Sequence, residues 1–353
     1  MHQYNIIGLM SGTSLDGLDI VCCQFSKQEN RWNYRLLAYD TIDYPHDWKE
    51  TLPKLMKVSG QELHKADTDY GIFLGEAVNS FIATYKLEVD FIASHGHTIF
   101  HQPDKGYGLQ IGKGEAIYAT CSIPTIYDFR ALDIALGGQG APLVPIGDLH
   151  LFSEYDYCLN LGGIANISKK TEKGIIAYDI CPCNIILNHL SQKINLAYDE
   201  GGQIARKGKI IPSMIDTLNR LPFYLEKPPK SLGREWIDTV FIPILETYDM
   251  PIEDCMRSCV EHIAIQIAHG LHTDEHKKLL LSGGGAFNDY LVERMKHHGG
   301  NVSMVVPSEE VIAYKEAIIF AFLGLLKVEK LPNCLASVTG AIKDSSGGKI
   351  IGI

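Results

Sequence analysis

Residues 11–17 read SGTSLDG and lie between two apolar runs, 4–10 and 18–25. Gly12 and Gly17 let the backbone turn tightly, and Ser11, Thr13 and Ser14 add hydroxyl groups. A turn of this make-up, with Leu15 inside it and Leu18 and Asp19 after it, can wrap anionic oxygens with N–H and O–H donors. Asp16 and Asp19 are the residue type that Mg²⁺ takes, directly or through water. The pattern is not GxxxxGK[ST], so the P-loop is excluded as the phosphate device. The same residues would also make a plain polar hairpin whose glycines serve geometry alone. A second candidate is Asp179 in AYDICPCN, near the end of a predicted strand over 173–180. A carboxylate there can act as a general base on water or a hydroxyl, or only as a local cap. Pro182 stops the strand, and Asn184 is placed to N-cap a helix over 184–194.

Five further segments combine glycine with polar side chains. In LNLGGIANIS, Gly162 and Gly163 form a turn that, with the first loop, could grip a polyphosphate from two sides. In LSGGGAFN, Gly283, Gly284 and Gly285, followed by Asn288, would let a flat ring such as adenine lie against the backbone. SHGHTIFHQP brings Ser94, His95, His97, Thr98 and His101 together; with no cysteine or carboxylate partner evident, hydrogen bonding to a polar ligand is favoured over zinc. DFRALDIALGGQGAPLVP carries Arg130, which can fork onto a carboxylate, with Asp133 and Gln139 among small residues. KPPKSLGREW contributes Lys230, Arg234 and Glu235. Cys181 and Cys183 form CxC, but no second pair of ligands accompanies them, and Cys255 and Cys259 read as buried thiols on one helix face.

These segments need elements to hold them. The chain echoes one plan twice: strand, glycine turn, strand, strand, helix, then a later strand ending at a polar turn. Strands followed by helices in repeating order predict an α/β protein. Two such halves face each other across a cleft in many ligand-binding proteins. Helices are predicted over 48–58, 69–86 and 253–271, the last with Met256, Val260, Ile263, Ile267 and Leu271 on one stripe. Residues 316–326 are apolar on nearly all sides, as in a buried helix. The 353 residues suggest two domains, expected at 1–130, with the C-terminal segment available to complete it, and 131–353. Lys plus Arg number 32 against 42 Asp plus Glu, a net charge of −10, which disfavours a nucleic-acid partner. Nine scattered cysteines do not form a disulfide framework. Without a signal-peptide pattern or an apolar run near 20 residues, a cytoplasmic protein with no membrane span is expected. A homodimer is the default oligomer.

The chain resembles the anhydro-N-acetylmuramic acid kinase family over almost its whole length. The resemblance rests on GLMSGTSLDGLD (8–19), SHGHT (94–98), LQIGKG (109–114), DFRALDIALGGQGAPLVP (128–145), NLGGIANIS (160–168), YDEGGQIARKG (198–208), PPKSLGRE (228–235), SGGGAFN (282–288), KEAIIFAFL (315–323) and SVTGA (337–341). It implies the actin, Hsp70 and sugar-kinase fold: two duplicated actin-like (ribonuclease H-like) α/β domains around a cleft. It implies an enzyme that takes 1,6-anhydro-N-acetylmuramic acid, released in cell-wall recycling, and uses ATP, Mg²⁺ and water to make N-acetylmuramic acid 6-phosphate. It also implies roles. Asp179 would be the base, and Glu316 would lie near the reaction centre. The loop from Gly12 to Asp19 would bind ATP phosphates, with the 283–288 turn on the nucleotide side. Arg130 and residues 95–98 would lie on the sugar side, joined by Asn184.

The chain also departs from the family pattern. Where Thr-Gly-Pro-Gly-Asn usually follows the aspartate, this sequence has Ile180, Cys181, Pro182, Cys183 and Asn184. The usual SHGQT is SHGHT, with His97, and Lys113 stands where an acidic or amide residue is common. A Cβ at 181 or 183 would strain any glycine-only backbone there. These departures keep two alternatives open: the same mechanism on a different sugar, and a nucleotide-binding regulator that has lost catalysis.

Overall fold

The computed structural model describes residues 3–352 apart from residues 13, 14, 16, 30, 173 and 229. Thr13, Ser14 and Asp16 of the first loop therefore lie outside the described residues. The chain divides into two units, Met1–Phe152 with Tyr314–Ile353, and Ser153–Ala313. The division falls after Phe152 rather than after residue 130. Residues 131–152 stay with the first unit because Asp133 is tied there: its Oδ1 accepts from Thr339 and its Oδ2 from Gly140 N–H.

The first unit is built on β1 (Gln3–Ser11), β2 (Leu18–Gln28), β3 (Arg31–Ile42), β4 (Phe91–Gln102), β5 (Tyr107–Ile111), β6 (Thr125–Tyr127) and, from the far end of the chain, β12 (Lys349–Ile351). The order is β12-β6-β4-β1-β2-β3, with β5 on β4. β1, β2 and β3 form an antiparallel meander, while β1, β4 and β6 run parallel. The second unit repeats this plan with β7 (Tyr157–Leu161), β8 (Ile164–Thr171), β9 (Gly174–Pro182), β10 (Lys277–Ser282) and β11 (Val302–Val305), in the order β11-β10-β7-β8-β9. Again the first three strands are antiparallel and the later two join β7 in parallel. The expected duplicated, actin-like α/β architecture is thus what the chain forms.

Each sheet is held by helices on apolar stripes. In the first unit the helix Gly60–Tyr85 buries Tyr70, Leu74, Val78 and Phe81 against Ile7, Leu9 and Ile20. Each such side chain, fully buried, stabilises by about 1.5–3 kcal/mol. The helix starts nine residues before the expected 69, at a capping box in which Ser59 and Glu62 satisfy each other's backbone N–H groups. The expected helix over 48–58 is two short pieces, His46–Thr51 and a tighter turn Leu52–Lys57, broken where Pro53 removes a donor. On the other face, the helix Glu309–Val328 lies so close to β1 that a Cβ at Gly8 would overlap the carbonyl oxygen of Ala317. That close approach fixes Lys315 and Glu316 relative to β1. In the second unit the helix Ile252–Leu271 buries the expected stripe of Met256, Val260, Ile263, Ile267 and Leu271.

Candidate functional site

In the first unit, the loop after β1 is anchored by the residue that precedes it. The buried Ser11 hydroxyl meets Nδ1 of His97 at 2.7 Å and receives the Tyr70 hydroxyl at 2.9 Å, and Tyr44 and Tyr70 meet at 3.0 Å. His97 is therefore committed inward, to Ser11 at the end of β1. The cause is local: β4 is bulged, with Leu9 opposite Ser94 but Ser11 opposite His97. Gly96 sits in that bulge at φ +71, where a Cβ would also strike the Ile111 carbonyl. Thr98 receives the Gln110 amide at 3.3 Å. Leu15 packs on the unit's core and the Leu18 side chain is wholly buried, so these two offer a ligand only backbone groups. Gly17 lies tight against Thr41 and Ile42 of β3. Asp19, on β2, accepts the Thr41 hydroxyl at 2.8 Å.

Burial lowers the His97 pKa from 6.5 to about 4. The folded state thus binds fewer protons than the unfolded chain. Its stabilising effect is complete above about pH 6.5 and is lost as pH falls from there towards 4, by up to roughly 3 kcal/mol. His97→Gln, an amide that can still bond Ser11, is expected to lose less stability on acidification than the parent protein between pH 7 and 4. Melting temperatures across that range check it; parallel curves would show that His97 is not the titrating group. Buried His262 in the second unit is depressed in the same direction, but it is common to both proteins.

His95 has other side-chain partners than His97. Arg130 donates to its Nε2 from Nε at 3.1 Å and from Nη2 at 2.9 Å, and to the Gly140 carbonyl at 2.7 Å. An arginine only donates, so Nε2 accepts and Nδ1 carries the proton given to the Gly96 carbonyl. The fork expected to grip a carboxylate is thus closed on an imidazole, which burial and the Arg130 charge keep neutral. The same guanidinium and Lys315 stabilise the Glu316 carboxylate, yet burial, with Asp19 and Asp148 nearby, leaves its pKa raised. Lys315 reaches Asp148 at 2.7 Å in a buried ion pair. The three histidines do not converge: among the described residues no three His, Cys, Asp or Glu side chains come together as a metal cage.

In the second unit, Asp179 stands at a break in β9. Asn166 pairs with Asp179 and Ala165 with Cys181, so Ile180 is an extra residue in the strand. Such a bulge re-aims the side chain beside it. Oδ2 of Asp179 accepts from Leu232 N–H at 2.8 Å and from the Ser231 hydroxyl at 3.1 Å. Oδ1 receives no hydrogen bond among the described residues. Burial raises the carboxyl pKa, and those two bonds oppose the rise. Ile180, Cys181 and Cys183 are all packed in the unit's core, at 4%, 0% and 0% exposure. Cys183 has φ −129 and ψ −104, and neither it nor Cys181 takes the left-handed backbone that favours glycine.

Asn184 differs from its expected role as an N-cap. Cys183 is the cap, and Asn184 opens the helix Asn184–Gln192. Its side-chain amide donates to the Leu161 carbonyl at 2.8 Å, and its backbone N–H to Gly162 at 3.1 Å. It thereby joins the second glycine turn to the helix. Asn288 accepts from Leu291 N–H at 2.9 Å and caps the helix Asp289–His298. The glycines sort into two kinds. Gly283 and Gly285 are required by the fold, since a Cβ would run into Asn160 or Leu161. Gly162, Gly163 and Gly284 have no left-handed φ, and the nearest atoms to a Cβ are 3.4, 3.8 and 4.0 Å away. Neither conformation nor packing demands glycine there.

Ser231, Leu232 and Thr41 were not marked by the sequence. KPPKSLGREW drew attention to Lys230, Arg234 and Glu235, but Arg234 is spent on an exposed pair with Asp238 at 2.8 Å. Lys230 gives its ammonium to the Phe223 carbonyl at 2.8 Å. A serine 52 positions from Asp179 leaves no local signal of that partnership.

A family model described as anhydro-N-acetylmuramic acid kinase matches residues 4–352. A protein of Gloeothece citriformis carrying the same description is 34% identical over 391 residues, covering 98% of this chain and 97% of its own. Another from Haemophilus influenzae is 34% identical over 380 residues, covering 99% and 98%. Among solved structures, the activator of 2-hydroxyisocaproyl-CoA dehydratase from Clostridium difficile with bound ADPNP is similar at TM-score 0.45 and 14% identity, over 92% of this chain and 97% of that one.

Proposed function

This chain belongs to the anhydro-N-acetylmuramic acid kinase family, and on that premise we propose that it opens 1,6-anhydro-N-acetylmuramic acid with water while phosphorylating O6 from ATP. The activity is that of a phosphotransferase; we further propose these steps, a place in cell-wall recycling and a cytoplasmic setting. The observation that carries it is Asp179, whose one carboxylate oxygen is held by hydrogen bonds while the other receives none among the described residues. Oδ1 takes a proton from a water, and the water oxygen bonds to the anomeric carbon. The C1–O6 bond breaks, O6 attacks the γ-phosphorus and ADP departs. The carboxylate then acts as the base of an inverting glycosidase does, with phosphorylation of O6 replacing protonation by a general acid.

The open glycines at 162, 163 and 284 suit a nucleotide lying on backbone, and the 12–19 loop suits its phosphates. Mg²⁺ suits the hard carboxylate oxygens of Asp19 and Glu316, whose mutual repulsion in the first unit a divalent cation would relieve. With one or two carboxylates plus phosphate oxygens, this is the way Mg²⁺ is usually bound. When bound it would neutralise charge on the transferring phosphoryl group. Arg130 and His95, fixed on each other, present a cation with a set orientation for the polar groups of the sugar. Ile180, Cys181 and Cys183, the departure that motivates a different sugar, pack into the core of the second unit.

The test is ADP release by the protein with Mg·ATP, with and without the anhydro-sugar. Release that depends on the sugar supports the reading; ATP binding without it contradicts the reading. Gly163→Ala and Gly284→Ala give a finer check. Each is expected to be neutral or stabilising, by about 0.4–1 kcal/mol where the backbone is compatible. Each is also expected to raise KM for ATP roughly tenfold, a loss of about 1.4 kcal/mol. Unchanged KM values would remove these turns from the nucleotide site.

A further inference from the structure

We propose that Ser231 is a positioning residue for the reaction: with Leu232 N–H it holds Oδ2 of Asp179 and thereby reserves Oδ1 for the attacking water. This rests on Asp179 being the base, and goes beyond it by giving a role to a loop otherwise unassigned.

The geometry is a clip. Asp179 N–H donates to the Lys230 carbonyl at 2.9 Å, so main chain and carboxylate of one residue are gripped by three successive residues of the loop. The loop is itself pinned. The Lys230 ammonium lies 4.2 Å from the Phe223 ring centre and donates to the Phe223 carbonyl. The neighbouring Tyr224 hydroxyl meets Nε2 of buried His262 at 2.9 Å. A carboxylate at a strand bulge has freedom to rotate about its last torsion. Two donors on one oxygen remove that freedom and favour the ionised form. Burial raises the Asp179 carboxyl pKa most, and the clip is what opposes that rise. The Cys181 thiol is kept protonated by burial, the Lys230 ammonium is turned to Phe223, and the residue paired across on β8 is the neutral Asn166.

Ser231 is exposed, so its replacement does not threaten the core. The experiment compares Ser231→Ala, Ser231→Thr and Asp179→Asn with the parent enzyme, reading kcat and KM for both substrates and the pH dependence of kcat/KM. Ser231→Ala is expected to lower kcat about tenfold with little change in KM, and to move the acid limb up by roughly one pH unit, the equivalent of one hydrogen bond to a charged group. Ser231→Thr, which keeps the hydroxyl, is expected to restore both. If Asp179→Asn is inactive but Ser231→Ala keeps the parent kcat and acid limb, the clip is overturned while the base stands. If Ser231→Ala loses kcat without a shift of the limb, or threonine fails to restore it, the serine acts only on loop structure and the proposal fails. Near-parent activity in Asp179→Asn would instead overturn the base assignment itself.

Discussion

Asp179→Asn is expected to retain nucleotide and sugar binding while kcat falls by roughly 10²–10⁴-fold, about 3–5 kcal/mol of lost transition-state stabilisation. The substitution suits the site. The Asn carbonyl oxygen can accept from Leu232 N–H and Ser231 as Oδ2 does, which leaves an NH₂ group where the base was. The residue then fills the same space but cannot take a proton. KM values near those of the parent, with kcat reduced, identify the group that activates water. A kcat close to the parent's would show that another group does so. The pH profile adds a second reading. The carboxyl is raised above its ordinary 3.8 by burial, and the base works only when ionised. Activity is therefore expected to fall, on acidification, at a pH above that of an ordinary aspartate.

The second large effect is on stability. Lys315→Met is expected to cost about 3–5 kcal/mol, because it leaves the Asp148 carboxylate without its cation in a buried setting. The pair is closed at 2.7 Å with side-chain exposures of 5% and 3%. Lys315 also lies 5.3 Å from the Phe152 ring centre, so the methionine retains part of the packing. Adding Asp148→Asn to Lys315→Met is expected to recover much of the loss, since the stranded charge is gone. Denaturant midpoints of the two single variants and the double check this. A Lys315→Met protein within 1 kcal/mol of the parent would mean that water already serves Asp148. The change would also reach Glu316, whose carboxylate Lys315 helps to keep ionised.

Much of the architecture was legible because glycine and polar residues punctuate apolar runs at strand ends. The doubled plan of strand, turn, strand and strand emerged from that punctuation and matches both sheets. The stripe on the helix Ile252–Leu271 was readable for the same reason, one face being apolar at helical spacing. The start of the helix Gly60–Tyr85 is also written in the sequence, as the capping pair Ser59 and Glu62, which lies ahead of the apolar pattern.

The site was less legible, for reasons of direction and distance. Spacing places His95 and His97 on one side of a strand; the bulge at Gly96 turns them to different neighbours. Asn184 has the side chain of an N-cap, yet the chain puts Cys183 in that position and uses the amide to hold Leu161. The cysteines at 181 and 183 looked disruptive because the family pattern there is glycine, but an extra strand residue lets them enter the core at ordinary φ. Lys315 and Asp148 are 167 positions apart in sequence, and Ser231 follows Asp179 by 52. No local pattern announces such partners, because only the folded sheet brings them together.

The most direct measurement is the fate of oxygen when the protein turns over 1,6-anhydro-N-acetylmuramic acid and Mg·ATP in heavy-oxygen water, with product analysis by mass spectrometry. Water attack at C1 predicts one labelled oxygen in the sugar ring portion, at the anomeric hydroxyl, an unlabelled phosphate ester at O6, and one ADP for each sugar opened. Label in the phosphate, or phosphorylated sugar without label, would contradict it.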